Sequence, residues 1–469
     1  MRVLKMLALC MLVLAGSSVL AAEETVLVVE IARHGARVPI YNIGNVSWVK
    51  GLGKGELTPV GNRQHFLLGK EMANRYPNLL QQDLLGSEYY VRSSNFQRTT
   101  TSAISHLMGM WSHFDPAQLL FQNGDDRIQP PWVFTSVPTN MKTGTPFGFT
   151  PDPVHVETTD EDDTLYLLNS NQCPVGKKAS QDFYAKLRDD CEKNQNFKNM
   201  VDDYAKKYNV KVSSLGGYYE ACVSLGDFAL QDFRNNPTPV ITDKDEIAKI
   251  GRCYEASIVG RFTDQSIARI VVSNLMEDIL TKMNRKVEVS SDPMKYYLFT
   301  AHDSTLAPIL VQAGILNARC FVDDMKNAKL TPSCTNFPDV ASNIVFELIN
   351  DYDDYFVRML YNFEPVDICG LKNTNEKFRC PIDAFNRKWR SLTESNWKSY
   401  CGTPSRIISF FKDTDNPWRP WAIVLIAVSS LFLLFITGIC VGICYLRKKH
   451  APKGSDYMSA VEVENISKY

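Results

Sequence analysis

Apolar and polar positions alternate between two periods along this chain, and the switches mark elements. Val26 to Ala32 is a nearly continuous apolar run broken only by Glu30, the pattern of a strand buried on both faces. Thr58 and Pro59 suit a helix cap and first helical position, and Val60, Leu67, Leu68 and Met72 continue at helical spacing to about Tyr76. Tyr89 to Ser94 reads as a short strand. Ile104, Leu107, Met108 and Trp111 then mark one face of a helix starting near Gln97. The same grammar returns late in the chain. Lys295 to Ala301 is strand-like, and Leu306, Ile309, Leu310 and Ala313 form a helical stripe, with Pro308 in the first turn if Ser304 or Thr305 is the cap. Asn343 to Asn350 and Tyr355 to Tyr361 form an expected antiparallel pair joined through Asp351–Asp354.

Strands alternating with helices predict an α/β fold: a central sheet flanked by helices on both faces. The core is expected over residues 23–112 and 294–400. The segment between, 113–293, is rich in proline and glycine at first and then in charged, helix-favouring stretches such as Gln181–Tyr208 and Ser266–Asn284. It reads as a mainly helical cap inserted into the core.

The ends of the chain add compartment. Met1–Lys5 is basic, an apolar stretch follows to Ala15, and small residues lead to Ala21 and Ala22, the layout of a signal peptide over residues 1–22. Trp421 to Leu446 is uncharged and longer than the ~20 residues that cross a bilayer. Trp418 and Trp421 flank it on one side and Tyr445 on the other, and Arg447-Lys448-Lys449 follow at once. The expected layout is a single-pass type I membrane protein: a luminal or extracellular domain over 23–412, a transmembrane helix over 421–446 and a cytosolic tail over 447–469.

Composition narrows the class. A formal net charge of -1 gives no reason to expect nucleic-acid binding. Removing Cys10, Cys440 and Cys444 from the 12 cysteines leaves an odd number in the luminal portion, where disulfides are the default. Their spacing matches no zinc site, so no metal is expected. Asn45-Val46-Ser47 is the luminal glycosylation sequon.

Candidate chemistry sits at three strand-to-loop transitions: Arg33-His34-Gly35-Ala36-Arg37, Arg92-Ser93-Ser94-Asn95-Phe96-Gln97-Arg98 and His302-Asp303. Ligands of open α/β sheets bind where carboxyl ends of strands meet. Guanidinium forks grip phosphate oxygens, and an imidazole among them is a nucleophile in waiting. If the three strands are neighbours, a phosphate cradle with a nucleophile and a proton source results.

Arg33-His34-Gly35-Ala36-Arg37-Val38-Pro39 resembles the RHGxRxP signature of the histidine acid phosphatases. Ala301-His302-Asp303-Ser304-Thr305 is similar to the distal His-Asp element of that family, Arg92–Thr99 to its middle arginine segment, and Gly55-Glu56-Leu57-Thr58-Pro59 to its helix-start motif. The similarity covers about residues 25 to 390. It implies a phosphoglycerate mutase-like fold and hydrolysis of small-molecule phosphate monoesters at acidic pH, without a cofactor. It implies His34 as nucleophile, Asp303 as proton donor, and Arg33, Arg37, Arg98 and His302 as phosphate-binding residues, with Arg92 the alternative to Arg98. Tyr361-Asn362 would lie at the pocket wall. The resemblance further implies a long-range disulfide between Cys173 and Cys380, a lysosome-like compartment or the cell surface, and leaves homodimer formation open. Two other readings stay in view: a phytase-like inositol phosphate phosphatase of the same fold, and a catalytically inactive receptor-like ectodomain.

Overall fold

The computed structural model describes residues 23–401, interrupted at 42, 44–47, 49–50, 81–85, 113–153, 158–164, 166–172 and 371–377. The expected signal peptide, transmembrane helix and tail, and the Asn45 sequon, lie outside the described residues. Among the described residues no helix is long and apolar enough to cross a membrane.

Among the described residues, eight strands form one mixed sheet. In chain order they are β1 (Glu24–Arg33), β2 (Tyr89–Ser93), β3 (His155–Val156), β4 (Tyr296–Ala301), β5 (Asn343–Asp351), β6 (Asp354–Tyr361), β7 (Glu364–Val366) and β8 (Cys380–Pro381). The spatial order is β3-β2-β4-β1-β5-β6-β7, with β8 also on β6. β3, β2, β4 and β1 are parallel to one another; β5 joins β1 antiparallel, and the remaining strands follow antiparallel. β5 and β6 are the expected hairpin. Its two-residue turn puts both Tyr352 and Asp353 at positive φ, 54° and 69°, which matches the right-handed twist of the strands.

β1 is the hub, and its side chains divide the core. Val28 and Ala32 face a cluster with Met72 and Ala73 of α1 (Pro59–Arg75) and Ala103, Leu107 and Met110 of α2 (Gln97–Met110). Leu27, Val29 and Ile31 face the other, larger cluster. That side is covered by α5 (Tyr218–Asn235), α7 (Gln265–Glu288), α8 (Asp303–Gln312) and α10 (Ile382–Leu392), which contribute Leu225, Met276, Leu306 and Trp389. Helices on both faces explain why β1 is apolar without alternation. The helices between β3 and β4 in chain order are α3 (Pro174–Glu192), α4 (Gln195–Lys207), α5, α6 (Lys244–Val259) and α7; α9 (Ala318–Lys326) follows α8.

Two expectations shift by a few positions. α1 and α2 cross so closely that a Cβ on Gly69 would fall 1.9 Å from the His106 carbonyl oxygen, and one on Gly109 1.8 Å from that of Phe66. Small residues therefore make the contact face, and Ile104 and Leu67, members of the apolar stripes, are exposed. α8 is capped by His302, not by Ser304 or Thr305: the His302 backbone N–H donates to Thr305 Oγ1 at 3.3 Å. Starting the helix earlier places Pro308 in its second turn.

The expected Cys173–Cys380 bridge is not formed. Cys173 pairs with Cys401, Cys380 with Cys369, and Cys222 with Cys253. Cys380 opens β8 at the edge of the sheet, whereas Cys173 caps α3 beside Trp397, Cys401 and Ile270 of α7.

Candidate active site

Register brings the three motif segments to one edge. Arg33 pairs with Ala301 across β1–β4, and Ser93 with Thr300 across β2–β4. The next residues along each strand are thus His34, His302 and Ser94. The His34 amide donates to the Ala301 carbonyl at 3.0 Å and the Ser94 amide to that of Thr300 at 3.2 Å, extending the ladder into the loops. The His34 and His302 rings end 5.5 Å apart, edge to face.

Gly35 is required by this geometry, though by close packing and not by an unusual φ. A Cβ there would lie 2.4 Å from the Gly61 carbonyl oxygen in the first turn of α1. Gly61 in turn admits no Cβ, which would sit 2.2 Å from the Ala36 carbonyl oxygen. The loop after β1 is clamped on α1, whose cap Thr58 accepts from the Gly61 amide at 3.2 Å and donates to the Ala36 carbonyl at 3.0 Å.

His34 is almost fully buried, and its Nδ1 lies 2.8 Å from the Gly35 carbonyl oxygen. A carbonyl only accepts, so Nδ1 carries the proton and Nε2 keeps its lone pair. Burial, then the charges of Arg98, Arg33, His302 and Arg37, hold this imidazole well below the usual histidine range. Its neutral form is favoured, with Nε2 as the unprotonated nitrogen.

Arg33 and Arg37 are buried by the same loop but held differently. Arg37 forms a two-point pair with Asp227 of α5, at 2.8 and 3.3 Å, and donates to the Tyr254 hydroxyl of α6 at 3.1 Å. Arg33 Nη2 lies 2.7 Å from Asp303 Oδ2, and Nη1 donates to the Pro338 carbonyl at 2.8 Å. The Nε–H groups of both arginines are buried without a partner among the described residues. Two unsatisfied donors in one pocket suit an incoming oxyanion.

Tyr254 joins the two halves: its hydroxyl donates to Asp303 Oδ2 at 2.7 Å while accepting from Arg37. Burial alone would raise the Asp303 carboxyl. Arg33, the Tyr254 hydroxyl, His302 and Arg37 together outweigh it and hold Asp303 below the ordinary carboxylate range. His302 places Nε2 2.8 Å from Ser94 Oγ and Nδ1 3.4 Å from Arg98 Nη2. Burial and the Arg98 charge push this ring, too, well below its usual range.

All of Arg33, His34, Arg37, Arg98, His302 and Asp303 thus meet in one place. Arg92 does not. It pairs with Asp278 of α7 at 2.9 Å and with Glu157 at 3.5 Å, which leaves Arg98 as the arginine of the middle segment at the site. Tyr361 donates to the Phe337 carbonyl at 3.0 Å and so braces the segment that reaches Arg33. Asp227 and Tyr254 had no motif to reveal them. The one available signal was an acid in an apolar helical stretch, since a fully buried Asp is almost always paired.

Known proteins resemble this chain along most of its length. The chain is 26% identical over 427 residues to the lysosomal acid phosphatase of Xenopus laevis, covering 87% of this chain and 85% of that protein. It is 24% identical over 407 residues to the prostatic acid phosphatase of Homo sapiens, covering 81% and 89%. Among solved structures, the Hafnia alvei phytase in complex with tartrate aligns with a TM-score of 0.55 at 13% identity, over 80% of this chain and 99% of that one. The Citrobacter braakii phytase gives 0.54 at 13% identity over the same shares. At such identity the likeness speaks to the fold alone. The model of the histidine phosphatase superfamily (branch 2) matches residues 26–362, from the first core strand to beyond every residue that builds the pocket, and the chain belongs to that family.

Proposed function

We propose that this protein is an acid phosphatase that hydrolyses phosphate monoesters through a phosphohistidine on His34, with Asp303 as the proton donor. The observation that carries the reading is the His34 tautomer: Nδ1 is tied to the Gly35 carbonyl, and Nε2 is free beside the buried guanidiniums. Phosphoryl transfer asks mainly for in-line geometry and neutralised equatorial oxygens. Arg33, Arg37 and Arg98, with His302, supply those contacts without a cofactor. His34 Nε2 attacks phosphorus as the ester oxygen departs, and Asp303 gives that oxygen its proton. Asp303 then takes a proton from the water that attacks the phosphohistidine, and His34 leaves as phosphate forms.

The test is a denaturing quench of enzyme mixed with labelled monoester. The expected adduct is stable to base, labile to acid and located on the peptide containing His34. A labelled adduct on another residue, or phosphate release undiminished in His34→Ala, overturns the reading.

The inositol-phosphate alternative draws on structural neighbours at 13% to 15% identity. Phytate and simple monoesters compared in one assay decide it. An inactive ectodomain would be expected to show damage in the catalytic set, and that set is complete. A lysosomal or extracellular setting accords with the lysosomal relative and with the three disulfides, which suit an oxidising compartment. In this reading the insert before β4 caps the site, lending it Asp227 and Tyr254, and the segment 421–446 anchors the protein.

A further inference from the structure

Cys191, Cys320 and Cys334 stand as thiols in the structure. Two of them are neighbours. The sulfurs of Cys320 and Cys334 and a carboxylate oxygen of Asp324 lie within 4.8 Å of one another, and the two thiols are in hydrogen-bonding contact. Cys320 lies in the first turn of α9; Cys334 closes a turn after that helix, its amide donating to the Thr331 carbonyl at 2.8 Å.

A cluster of two thiols and a carboxylate raises the question of a metal. Asp324 answers it. One carboxylate oxygen accepts from the Thr331 amide at 2.8 Å and the other from the Thr331 hydroxyl at 2.5 Å, and the Arg252 guanidinium lies 3.5 Å away. The carboxylate is committed to holding the turn. That leaves two sulfurs, short of the four ligands of a structural zinc site.

We propose that Cys320 and Cys334 form a fourth disulfide in the mature protein. The oxidant is a thiol–disulfide exchange partner of the compartment, such as oxidised glutathione. Cys320, the more exposed sulfur, attacks it as thiolate and forms a mixed disulfide while one donor thiol leaves. Cys334 loses its proton and displaces the second donor thiol. One S–S bond forms and one breaks; two electrons and two protons end on the donor as two thiols. The pairing also resolves the odd cysteine count, leaving Cys191 alone. That thiol is buried in the core, and burial pushes it up to about 12, so it is inert.

The bridge would clip a segment that matters to the site. Phe337 packs on Phe321, beside Cys320, and stacks under the Arg33 guanidinium at 5.6 Å. Pro338 gives its carbonyl to Arg33, and Ala341 donates to the His34 carbonyl at 3.1 Å. Fixing Cys334 fixes the start of this strap.

The full-length protein, made through a secretory pathway and purified without reductant, is alkylated in denaturant and digested with trypsin. The expected product joins the peptide Cys320–Lys326 to the one that begins at Leu330, two hydrogens lighter than the separate thiols, with Cys191 alkylated. Alkylation of both Cys320 and Cys334, or one equivalent of zinc released when they are alkylated, overturns the proposal. As a second measurement, Cys320→Ser, Cys334→Ser and the double variant should lose the same roughly 3 °C in melting temperature. Additive losses would count against a shared bond.

Discussion

Asp303 Oδ2 lies 2.7 Å from Arg33 Nη2, with both side chains almost entirely buried. In the proposed mechanism the pair lets one carboxyl be ionised at rest and protonated in the reaction. With no phosphate present, Arg33 keeps Asp303 below the ordinary carboxylate range. A bound phosphate competes for the same guanidinium and adds negative charge next to the carboxyl, and both effects raise Asp303 toward protonation. A monoanionic substrate brings the needed proton most readily, so activity is expected to peak in acid while buried His34 stays neutral. An alkaline maximum in kcat/KM would contradict this. Asp303→Asn should lower kcat by about 10²- to 10⁴-fold for alkyl phosphates, whose leaving oxygen needs a proton. The loss should be much smaller for nitrophenyl phosphate. Equal losses for both esters would remove Asp303 from the proton-donor role.

Tyr254→Phe isolates one influence on that carboxyl. The hydroxyl donates to Asp303 at 2.7 Å, a bond that favours the ionised form. Deleting it should raise Asp303 back toward the ordinary carboxylate range. The limb of the pH–rate profile on which activity declines as Asp303 loses its proton then moves to higher pH. A profile that keeps its position while the rate falls would mean that Tyr254 serves only Arg37.

Glu30 is the one charged residue within the apolar run of β1, and burial favours its protonated form. It accepts from Tyr296 of β4 at 2.6 Å and from Asn343 of β5 at 2.8 Å, with His106 of α2 3.5 Å away. Burial raises it from 4.5 to about 7 despite those bonds, and burial lowers His106 to about 3. The two are a neutral cluster near pH 5, not an ion pair. A folded pKa above the unfolded one means that the folded state binds more protons between 4.5 and 7. Stability from Glu30 is full below about 4.5 and is lost as pH rises to about 7, on the order of 3 kcal/mol. Asp303 and, more weakly because it is half-exposed, Asp339 are held low by arginine contacts and act in the opposite sense. Their contribution is present above the ordinary carboxylate range and lost as pH falls through it. Buried His34, His65, His106 and His302, held below the usual histidine range, act in that opposite sense as well, so in denaturant midpoints Glu30 shows as a decline from pH 5 to pH 7 superimposed on the slope those groups set. In Glu30→Gln, which mimics the protonated form, the decline toward pH 7 should flatten. An unchanged slope would exclude Glu30 as its source.

The division between what the sequence made legible and what it did not follows chain distance. Arg33, His34, His302 and Asp303 each lie directly after a strand whose apolar run is visible, so their convergence needed only the strand order. Arg98 was separable from Arg92 only by structure, because the two flank the same strand-to-helix turn and the difference is a partner, Asp278, far along the chain. Asp227 and Tyr254 come from helices about 190 and 50 residues from the groups they touch, and nothing local marks them. The apolar stripes of α1 and α2 include the buried Met72, Leu107 and Trp111 but also the exposed Leu67 and Ile104, because glycine and alanine, weak hydrophobic signals, make much of that contact. Cysteine pairing depends on the distance between Cα atoms, which spacing along the chain does not encode.

The cysteine pairs set up a comparison within one molecule. Cys173–Cys401 closes a loop with a sequence separation of 228, and Cys369–Cys380 one of only 11. In the chain-entropy view a crosslink removes freedom from the unfolded chain in proportion to the logarithm of loop length. That gives about 5 kcal/mol for the long loop and about 3 kcal/mol for the short one. The long bridge also secures a distinct buried cluster: Cys173 and Cys401 are fully buried with Trp397 and Ile270, tying the start of α3 to the last described turn of the chain. Cys401→Ser should therefore lower the denaturant midpoint more than Cys380→Ser does, with both enzymes keeping their KM because neither bridge touches the phosphate site. Recovery of Cys173 joined to Cys380 in a non-reducing digest, or a larger stability loss from Cys380→Ser than from Cys401→Ser, would reverse the assignment.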